Sequence, residues 1–175
     1  MSNKWRNGLN SVRSYIYLAI KKVLGCRIKH KSFPLVSHKS TLRTFDSGEI
    51  SVGSYCAISP YSELTARGGH IEIGDHVFIN RNCMIAAHER IEIGNGTTIG
   101  PNVCIYDHDH DGKGGYNTSP IIINNNVWIG AGSIILKGVT IGENATVAAG
   151  TLVTKDIPAN TVVYQKRETV FKEKE

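Results

Sequence analysis

One short stretch combines the side chains that most often carry acid–base or metal chemistry. Residues 106–112 read Tyr-Asp-His-Asp-His-Asp-Gly, and a further histidine, His88, precedes them in the chain. A neutral imidazole can accept a proton from a hydroxyl or an amine near pH 7, and neighbouring carboxylates can orient it and stabilise its cation. The stretch therefore predicts that one of its histidines acts as a general base.

Three other interpretations of this stretch remain open. The Asp-x-Asp-x-Asp-Gly spacing of residues 107–112 matches the beginning of an EF-hand calcium loop, although the twelfth position is Thr118 rather than Glu. The His-x-His pair could bind zinc with His88 as a third ligand. The histidines could also be ordinary solvated loop residues.

A six-residue repeat surrounds the stretch and must position it. Between Ile123 and Thr154 an aliphatic residue recurs at every sixth position, and a small or medium residue follows four positions later. The aliphatic positions are Ile123, Ile129, Ile135, Ile141, Val147 and Val153. Two inward residues per six, followed by a tight corner, make one flat face, and three faces close a triangular coil. Each coil pairs with the next, so stacking buries a continuous core.

The same pattern extends upstream and is interrupted once by a long insertion. The earlier aliphatic positions are Val52, Ile58, Leu64, Ile73, Ile79, Ile85, Ile93, Ile99 and Ile105. Ile105 and Ile123 are eighteen residues apart instead of six, so a loop within residues 106–122 leaves the coil. A long loop on a tight solenoid is where function is expected. The pattern predicts about five coils.

The N-terminal segment carries the basic character of the chain. Residues 1–45 contain ten Lys or Arg residues and no Asp or Glu, although the formal net charge of the whole chain is only +5. Residues 4–24 have the period of an amphipathic helix. Its apolar stripe consists of Leu9, Val12, Ile16, Ile20 and Val23. Such a helix can lie on an anionic membrane surface, or its stripe can pack on the repeat body or a neighbouring subunit.

These patterns divide the chain into three segments. We expect a basic helix and cap at residues 1–49, a repeat body at 50–158 with the loop at 106–122, and a C-terminal tail at 159–175. No recognition motif accompanies the basic charge, so we expect no nucleic-acid partner.

The cysteines and the apolar runs indicate the compartment. The four cysteines form no Cys-x-x-Cys pair, and Cys56 and Cys83 fall at the small inward position of the repeat, so we expect buried free thiols. Charged residues interrupt the apolar runs near the N-terminus, so the sequence predicts neither a signal peptide nor a membrane span. We expect a cytoplasmic protein whose basic helix allows contact with the inner face of the membrane.

Four motifs carry a resemblance to a known family. They are INRNC at 79–83, IGPNVCIYDHDH at 99–110, NNVWIGAGSIILKGVTIG at 125–142 and AAGTLVTKDIPAN at 148–160. Over about residues 50–163 the chain resembles the hexapeptide-repeat acyltransferases, close to the maltose and galactoside O-acetyltransferases and those of bacterial surface polysaccharides. The resemblance implies an all-β, left-handed parallel β-helix, acetyl-CoA as co-substrate, no metal, and a homotrimer with the coenzyme between two subunits.

The resemblance also assigns roles to individual residues. His110 falls at the position of the catalytic histidine of the family, and His108 is the alternative. The acceptor-binding positions are Asn80, Asn82, His88 and Asp107. The coenzyme-binding positions are Trp128, Gly130, Ala131, Ala149, Thr154 and Lys155. Backbone N–H groups near Gly130 and Ala131 are the expected oxyanion donors. Lys155, Lys137 and Lys166 are candidates for the phosphates of the coenzyme.

The chain departs from the family pattern in its acceptor and donor regions. Ala87-His88 stands where the sugar acetyltransferases have an acidic acceptor-site residue, and Ala131 stands where related chains have a hydroxyl residue. The tail after Pro158 is also atypical, which makes Gln165 to Arg167 candidate contacts for the adenine end of the coenzyme. The loop after His110 is shorter than in the maltose enzymes, which favours an open pocket and a larger glycan or lipid-linked acceptor.

The sequence thus predicts an acetyl-CoA-dependent O-acetyltransferase that acts on a sugar in surface polysaccharide biosynthesis. Two alternatives belong to other functional classes. One is a zinc-dependent lyase that resembles the γ-carbonic anhydrases, and the other is a non-catalytic β-helix scaffold.

Overall fold

The chain winds into a stack of coils, each built from three short strands. The computed structural model describes residues 3–166, 168 and 171–172, with side chains from residue 10 onward. One helix, α1, spans Asn3–Val23. The strands are β1 (Ile28–His30), β2 (Leu35–Val36), β3 (Thr41–Phe45), β4 (Glu49–Val52), β5 (Ala57–Ile58), β6 (Glu63–Arg67), β7 (His70–Ile73), β8 (Phe78–Ile79), β9 (Met84–Ala87), β10 (Arg90–Ile93), β11 (Thr98–Ile99), β12 (Cys104–Tyr106), β13 (His108–His110), β14 (Tyr116–Thr118), β15 (Ile121–Ile123), β16 (Trp128–Ile129), β17 (Ile134–Leu136), β18 (Thr140–Ile141), β19 (Thr146–Val147), β20 (Leu152–Val153) and β21 (Val162–Val163).

Successive coils pair in parallel and form three flat sheets. Sheet A contains β1, β4, β7, β10, β15 and β18; sheet B contains β2, β5, β8, β11, β16, β19 and β21; sheet C contains β3, β6, β9, β12, β17 and β20. The remaining two strands, β13 and β14, form an antiparallel hairpin that stands outside the three sheets. The architecture is the predicted all-β, left-handed parallel β-helix with one N-terminal helix.

The core is the predicted column of aliphatic side chains. Every predicted inward position from Val52 to Val153 is buried, with at most 5% of its surface exposed. The strand register places equivalent residues directly above one another, as Ile85, Ile105 and Ile135 show in sheet C. Cys56 and Cys83 are buried free thiols, as predicted. Because each coil exposes its apolar edge unless another coil covers it, the stack folds as one unit.

The inward and outward positions of one strand should differ in their effect on stability. Ile123 is 1% exposed in the core, whereas its neighbour Ile122 lies on the outer side of β15 and is only partly buried. Ile123→Val should lower the free energy of unfolding by about 1 kcal/mol, because it removes a buried methyl group from a packed column. Ile122→Val should change it by less than about 0.5 kcal/mol in the same urea titration. Equal losses in both variants would contradict the assignment of the inward face.

The number of coils is larger than predicted. Sheets A and C each contain six strands, which correspond to six coils rather than about five, and β21 adds a partial turn. The additional coil lies between residues 28 and 45, where Ile28, Val36 and Leu42 are buried. The six-residue pattern does not extend into it, because the intervals between apolar residues are uneven there; the sequence predicts an imperfect first coil or a cap for residues 26–49. Strand pairing crosses both predicted segment boundaries, through β1–β4 and β19–β21, and the three-part division stays a prediction.

The helix contacts the solenoid through the face opposite to its apolar stripe. Ser14 and Leu18 are buried against the first coil, at 2% and 0% exposure. The exposed fractions in the stripe are 55% for Val12, 56% for Ile16, 52% for Ile20 and 88% for Val23. The interpretation that the stripe packs on the repeat body of its own chain is therefore wrong for these four residues; the side chain of Leu9 lies outside the described part. Among the described residues, no helix combines the length and apolar character needed to cross a membrane.

Candidate active site on the two edges of sheet C

The predicted loop is a structured hairpin that extends from the end of β12. His108, Asp109 and His110 form β13, which pairs with β14 in the register His108–Thr118 and His110–Tyr116. Asp111 closes the turn, because its Oδ1 accepts the backbone N–H groups of Lys113 at 2.7 Å and Gly115 at 2.9 Å. These two hydrogen bonds lower the pKa of the Asp111 carboxyl. The hairpin thus holds its histidines on a regular strand.

Asp107 anchors the hairpin to the preceding coil. It is 0% exposed, and its Oδ1 accepts the backbone N–H of His88 at 2.8 Å. Its Oδ2 accepts the N–H groups of Glu89 at 2.7 Å and Arg90 at 2.8 Å. The Nδ1 atom of His108 lies 3.1 Å from Oδ1. A buried carboxylate with these partners fixes the corner after β9 and the ring of His108 at once.

Three histidines and one tyrosine make an aromatic cluster between the hairpin and the corner after β9. The ring centroids of His88 and His108 are 3.9 Å apart, and those of His88 and Tyr116 are 4.0 Å apart. The ring of Tyr116 is also 5.0 Å from the ring of His110, which is exposed. Tyr116 is not among the site residues predicted from the sequence. The glycines at 112, 114 and 115 are a hairpin signal that would have placed it opposite His110.

The environment of His88 favours its neutral form. Burial lowers the pKa of the His88 imidazole, and the charge of a protonated His108 lowers it further. The Asp107 carboxylate acts in the opposite direction. The unfolded chain therefore binds this proton more readily than the folded chain. Stability that depends on neutral His88 is present above the ordinary pKa of histidine and is lost as the pH falls through it.

This linkage gives a measurable pH dependence. Between about pH 7.5 and about pH 5.5, the melting temperature of the native chain should fall more than that of His88→Gln, in which the titrating group is absent. The difference between the two proteins isolates His88 from the other histidines. An identical fall in both would show that His88 does not prefer the neutral state in the fold.

Lys137 ties the other side of the hairpin to the next coil. Its Nζ lies 3.0 Å from Oδ2 of Asp109 and donates to the backbone oxygen of Asn117 at 3.4 Å. The N–H of Gly138 also donates to the oxygen of Ser119 at 3.1 Å. The hairpin is therefore held between two coils. Lys137, which the sequence suggests as a ligand for the phosphates of the coenzyme, contacts Asp109 and Asn117 of the hairpin instead.

The predicted site residues fall on two edges of sheet C. We call the corner after strands β9, β12, β17 and β20 the hairpin edge, and the corner before them the glycine edge. The hairpin edge carries His88, Asp107, His108, His110, Thr154 and Lys155; the glycine edge carries Asn80, Asn82, Gly130, Ala131 and Ala149. A four-residue strand such as β9 separates the edges, about 13 Å at the usual rise per residue.

Close contact between coils defines the glycine edge. The N–H of Asn80 donates to the oxygen of Ile99, and the N–H of Gly130 to that of Val147. A Cβ on Gly130 would lie 2.5 Å from the nitrogen of Ala149, so only glycine fits there. Asn82 occupies its corner with φ of 58°. The sixth coenzyme candidate, Trp128, lies on the outer face of sheet B and is 59% exposed.

The structure therefore brings the candidates together only in part. The hairpin edge brings together His88, Asp107, His108 and His110. Asn80 and Asn82 lie on the glycine edge, at the other side of the same sheet. Within the described ranges, no three His, Cys, Asp or Glu side chains are arranged to hold a metal ion.

Known proteins share the repeat and the fold of this chain. The family model described as "Bacterial transferase hexapeptide (six repeats)" matches residues 120–155. The galactoside O-acetyltransferase of Lactococcus lactis is 36% identical over 119 residues, which cover 65% of this chain and 58% of that protein. A solved maltose O-acetyltransferase from Clostridium difficile 630 is 31% identical with a TM-score of 0.50, covering 76% of this chain and 64% of that one.

A second solved structure supports the fold alone. It is a mutant of AntD, an N-acyltransferase from Bacillus cereus, in complex with dTDP-4-amino-4,6-dideoxyglucose and coenzyme A. It has a TM-score of 0.66 at 22% identity and covers 90% of both chains. This chain spans less than two thirds of the length of each of the two O-acetyltransferases. By its repeat, its β-helix and these matches, the chain carries the hexapeptide repeat of bacterial transferases over residues 120–155 and is similar to the hexapeptide-repeat acetyltransferases.

Proposed function

We propose that this chain transfers an acetyl group from acetyl-CoA to a hydroxyl of a sugar in surface polysaccharide biosynthesis, with His110 as the general base. The observation that carries the proposal is an exposed histidine on a hairpin that two coils hold in place. The relatives in Lactococcus lactis and Clostridium difficile are named as O-acetyltransferases of sugars, which supports the acyl group and the acceptor class.

A single imidazole can carry the proton through both steps of the proposed reaction. The imidazole of His110 takes the proton of the sugar hydroxyl as the hydroxyl oxygen attacks the thioester carbonyl carbon. The tetrahedral intermediate then collapses, the C–S bond breaks, and the imidazolium returns the proton to the departing thiolate. The products are an acetyl ester and free coenzyme A.

The corner that carries Gly130 and Ala131 is the proposed source of a backbone donor to the oxyanion. The N–H of Gly130 donates to the oxygen of Val147 at 2.7 Å within the solenoid, so it is already engaged. We therefore assign the oxyanion to the N–H of Ala131, the next residue on the exposed corner. This assignment needs no hydroxyl side chain, in agreement with alanine at this position.

The division of the candidates between two edges supports a site completed between protomers. Met84, Ile134 and Leu152 form a row on the outer face of sheet C, at 41%, 39% and 43% exposure. An exposed apolar row between the two edges is a surface that a second copy can cover. We propose a homotrimer in which the hairpin edge of one protomer faces the glycine edge of the next.

Within this arrangement, each predicted residue has a proposed place. Trp128, Gly130, Ala131 and Ala149 would line the coenzyme on the glycine edge, and Thr154 and Lys155 would meet it from the hairpin edge. Asn80, Asn82 and His88 would contact the acceptor. Asp107 is occupied by backbone N–H groups, so its proposed contribution to the acceptor is to position His88 and His108. Of the tail candidates, Arg167 lies outside the described residues.

We also propose that the protein acts in the cytoplasm. All four cysteines are free, which agrees with the cytoplasmic compartment predicted from the sequence. The exposed stripe of α1 adds contact with the inner face of a membrane.

Binding of acetyl-CoA tests the proposal directly. Titration calorimetry should show binding by the native protein and by His110→Ala, and a thiol-release screen over sugars should identify the acceptor with the native protein. Metal content should be measured on the same samples. Absence of binding together with about one zinc per chain, lost in His110→Ala, would support the lyase alternative instead. Absence of both binding and metal would support the scaffold.

A further inference from the structure

Helix α1 covers the end of the solenoid, so its outer face points away from the stack. The hydroxyl of Ser14 donates to the oxygen of Val36 at 3.0 Å, and the hydroxyl of Tyr17 donates to the oxygen of Ser40 at 2.7 Å. Leu18 is fully buried between them. The strands β1, β2 and β3 are terminal in their sheets, so these contacts place α1 across the first coil.

The outer face of α1 is apolar over the part of the helix whose side chains the structure describes, from residue 10 onward. Val12, Ile16, Ile20 and Val23 follow each other at intervals of three or four residues, so they lie on one side of the helix. Each is more than half exposed, and Leu24 at 71% extends the surface. We call these five residues the end stripe. Its spacing is that of an amphipathic helix, and the polar contacts with the coil fix which side faces outward.

Basic residues lie beside the end stripe and no acidic residue accompanies it. At about 100° per residue, Arg13 falls next to Ile20 at the edge of the stripe, whereas Lys22 lies about 80° beyond Val12, towards the face that contacts the coil. The first acidic residue of the chain is Asp46, beyond the first coil. The long stems of Lys and Arg can lie along an apolar surface while their charges reach outward.

We propose that the end stripe binds the surface of an anionic phospholipid bilayer, with the solenoid standing on its capped end. Such a bilayer offers both acyl chains for the stripe and negative charge for Arg13 and Lys22. A second copy of this helix would bring like charges together and supplies no acidic partner. The membrane is therefore the occupant that matches both chemical features.

Docking in this orientation leaves the hairpin accessible. The hairpin extends from the fourth coil, three strand spacings or about 14 Å along the stack from the first coil. It stands on the side of the prism, whereas the end stripe lies at its end. Membrane binding therefore does not require the proposed acyl transfer, and the two can be tested separately.

Vesicle flotation tests the proposal with the full chain. Vesicles of phosphatidylcholine with roughly one third phosphatidylglycerol should carry the protein, and pure phosphatidylcholine vesicles should carry much less. The double substitution Ile16→Ser and Ile20→Ser should reduce binding at least about tenfold. Arg13→Glu and Lys22→Glu together should also reduce it, and added salt should weaken the native interaction.

A matched control lies at the other end of the stack. Val162 and Tyr164 are 63% and 72% exposed beside the last coil, and their double substitution to serine should leave vesicle binding unchanged. Acetyl-CoA binding by the variants of α1 provides a check on folding at a distant site, and the melting temperature provides that check for the control. Equal vesicle binding by the Ile16/Ile20 variant, or no binding of the native chain to anionic vesicles, would overturn the proposal. A smaller oligomer in that variant without native vesicle binding would assign the stripe to a subunit contact.

Discussion

Replacement of His110 by alanine should lower kcat for acetyl transfer by about 100- to 10,000-fold, the range of general base catalysis. The affinity for acetyl-CoA should change little, because the proposed role of His110 is to accept a proton from the acceptor. Initial rates from thiol release, beside calorimetric titration of the coenzyme, separate the two effects. The pH profile provides a second measurement. The rise of kcat/KM with pH that reports deprotonation of the base should disappear in the variant.

The matched variants lie on the same hairpin. His108 is held by Asp107 and packs against His88, so His108→Ala should reduce activity less than His110→Ala. Lys113 is exposed in the turn, and Lys113→Ala should retain native activity. If His108→Ala abolishes the rise with pH and His110→Ala does not, the base is His108. Full activity in both histidine variants would remove the general-base proposal.

Replacement of Asp107 by alanine should lower the free energy of unfolding by about 3–5 kcal/mol, because three backbone N–H groups lose the buried carboxylate that accepts their hydrogen bonds. Their distances to the carboxylate are 2.7 to 2.8 Å, and the carboxylate is fully buried. Urea denaturation measures the loss. Hydrogen exchange should accelerate at the amides of residues 88–90, which localises it to the corner after β9.

A neighbouring carboxylate supplies the control. Asp109 lies on the same hairpin, but its side chain is 54% exposed and pairs with Lys137 at the surface. Asp109→Ala should therefore cost at most about 1 kcal/mol. Asp107→Asn should fall between the two, because an amide keeps one acceptor oxygen and replaces the other with a donor group. Equal destabilisation by Asp107→Ala and Asp109→Ala would contradict the anchoring role of Asp107.

The repeat could be predicted from sequence because it depends on local spacing. An aliphatic residue at every sixth position faces inward whenever each face has the same length, so Ile85, Ile105 and Ile135 were assigned to the core before any pairing was known. For the same reason, the sequence does not decide whether residues 26–49 form an imperfect first coil or a cap. Its apolar residues are unevenly spaced, and only pairing of β1 with β4 defines it as a coil.

The site was predictable as a set of residues but not as an arrangement. The histidine-rich loop was recognised from its composition and its length. Its hairpin pairing, its cluster with Tyr116 and its anchoring by Asp107 join residues that come from different coils or strands. The separation of Asn80 from His110 by a strand of sheet C likewise follows from stacking rather than from sequence distance.

The spacing of the aliphatic residues is enough to predict the solenoid, the inward column and the insertion that carries the histidines, because a short period fixes which side chains point inward. The two edges of sheet C and the orientation of α1 depend instead on contacts between residues far apart in the chain. The apolar period of the helix favoured burial of Ile16 and Ile20, but the hydroxyls of Ser14 and Tyr17 bind carbonyl groups of the first coil. These long-range hydrogen bonds and the burial of Leu18 turn the stripe outward, and no local period contains that information.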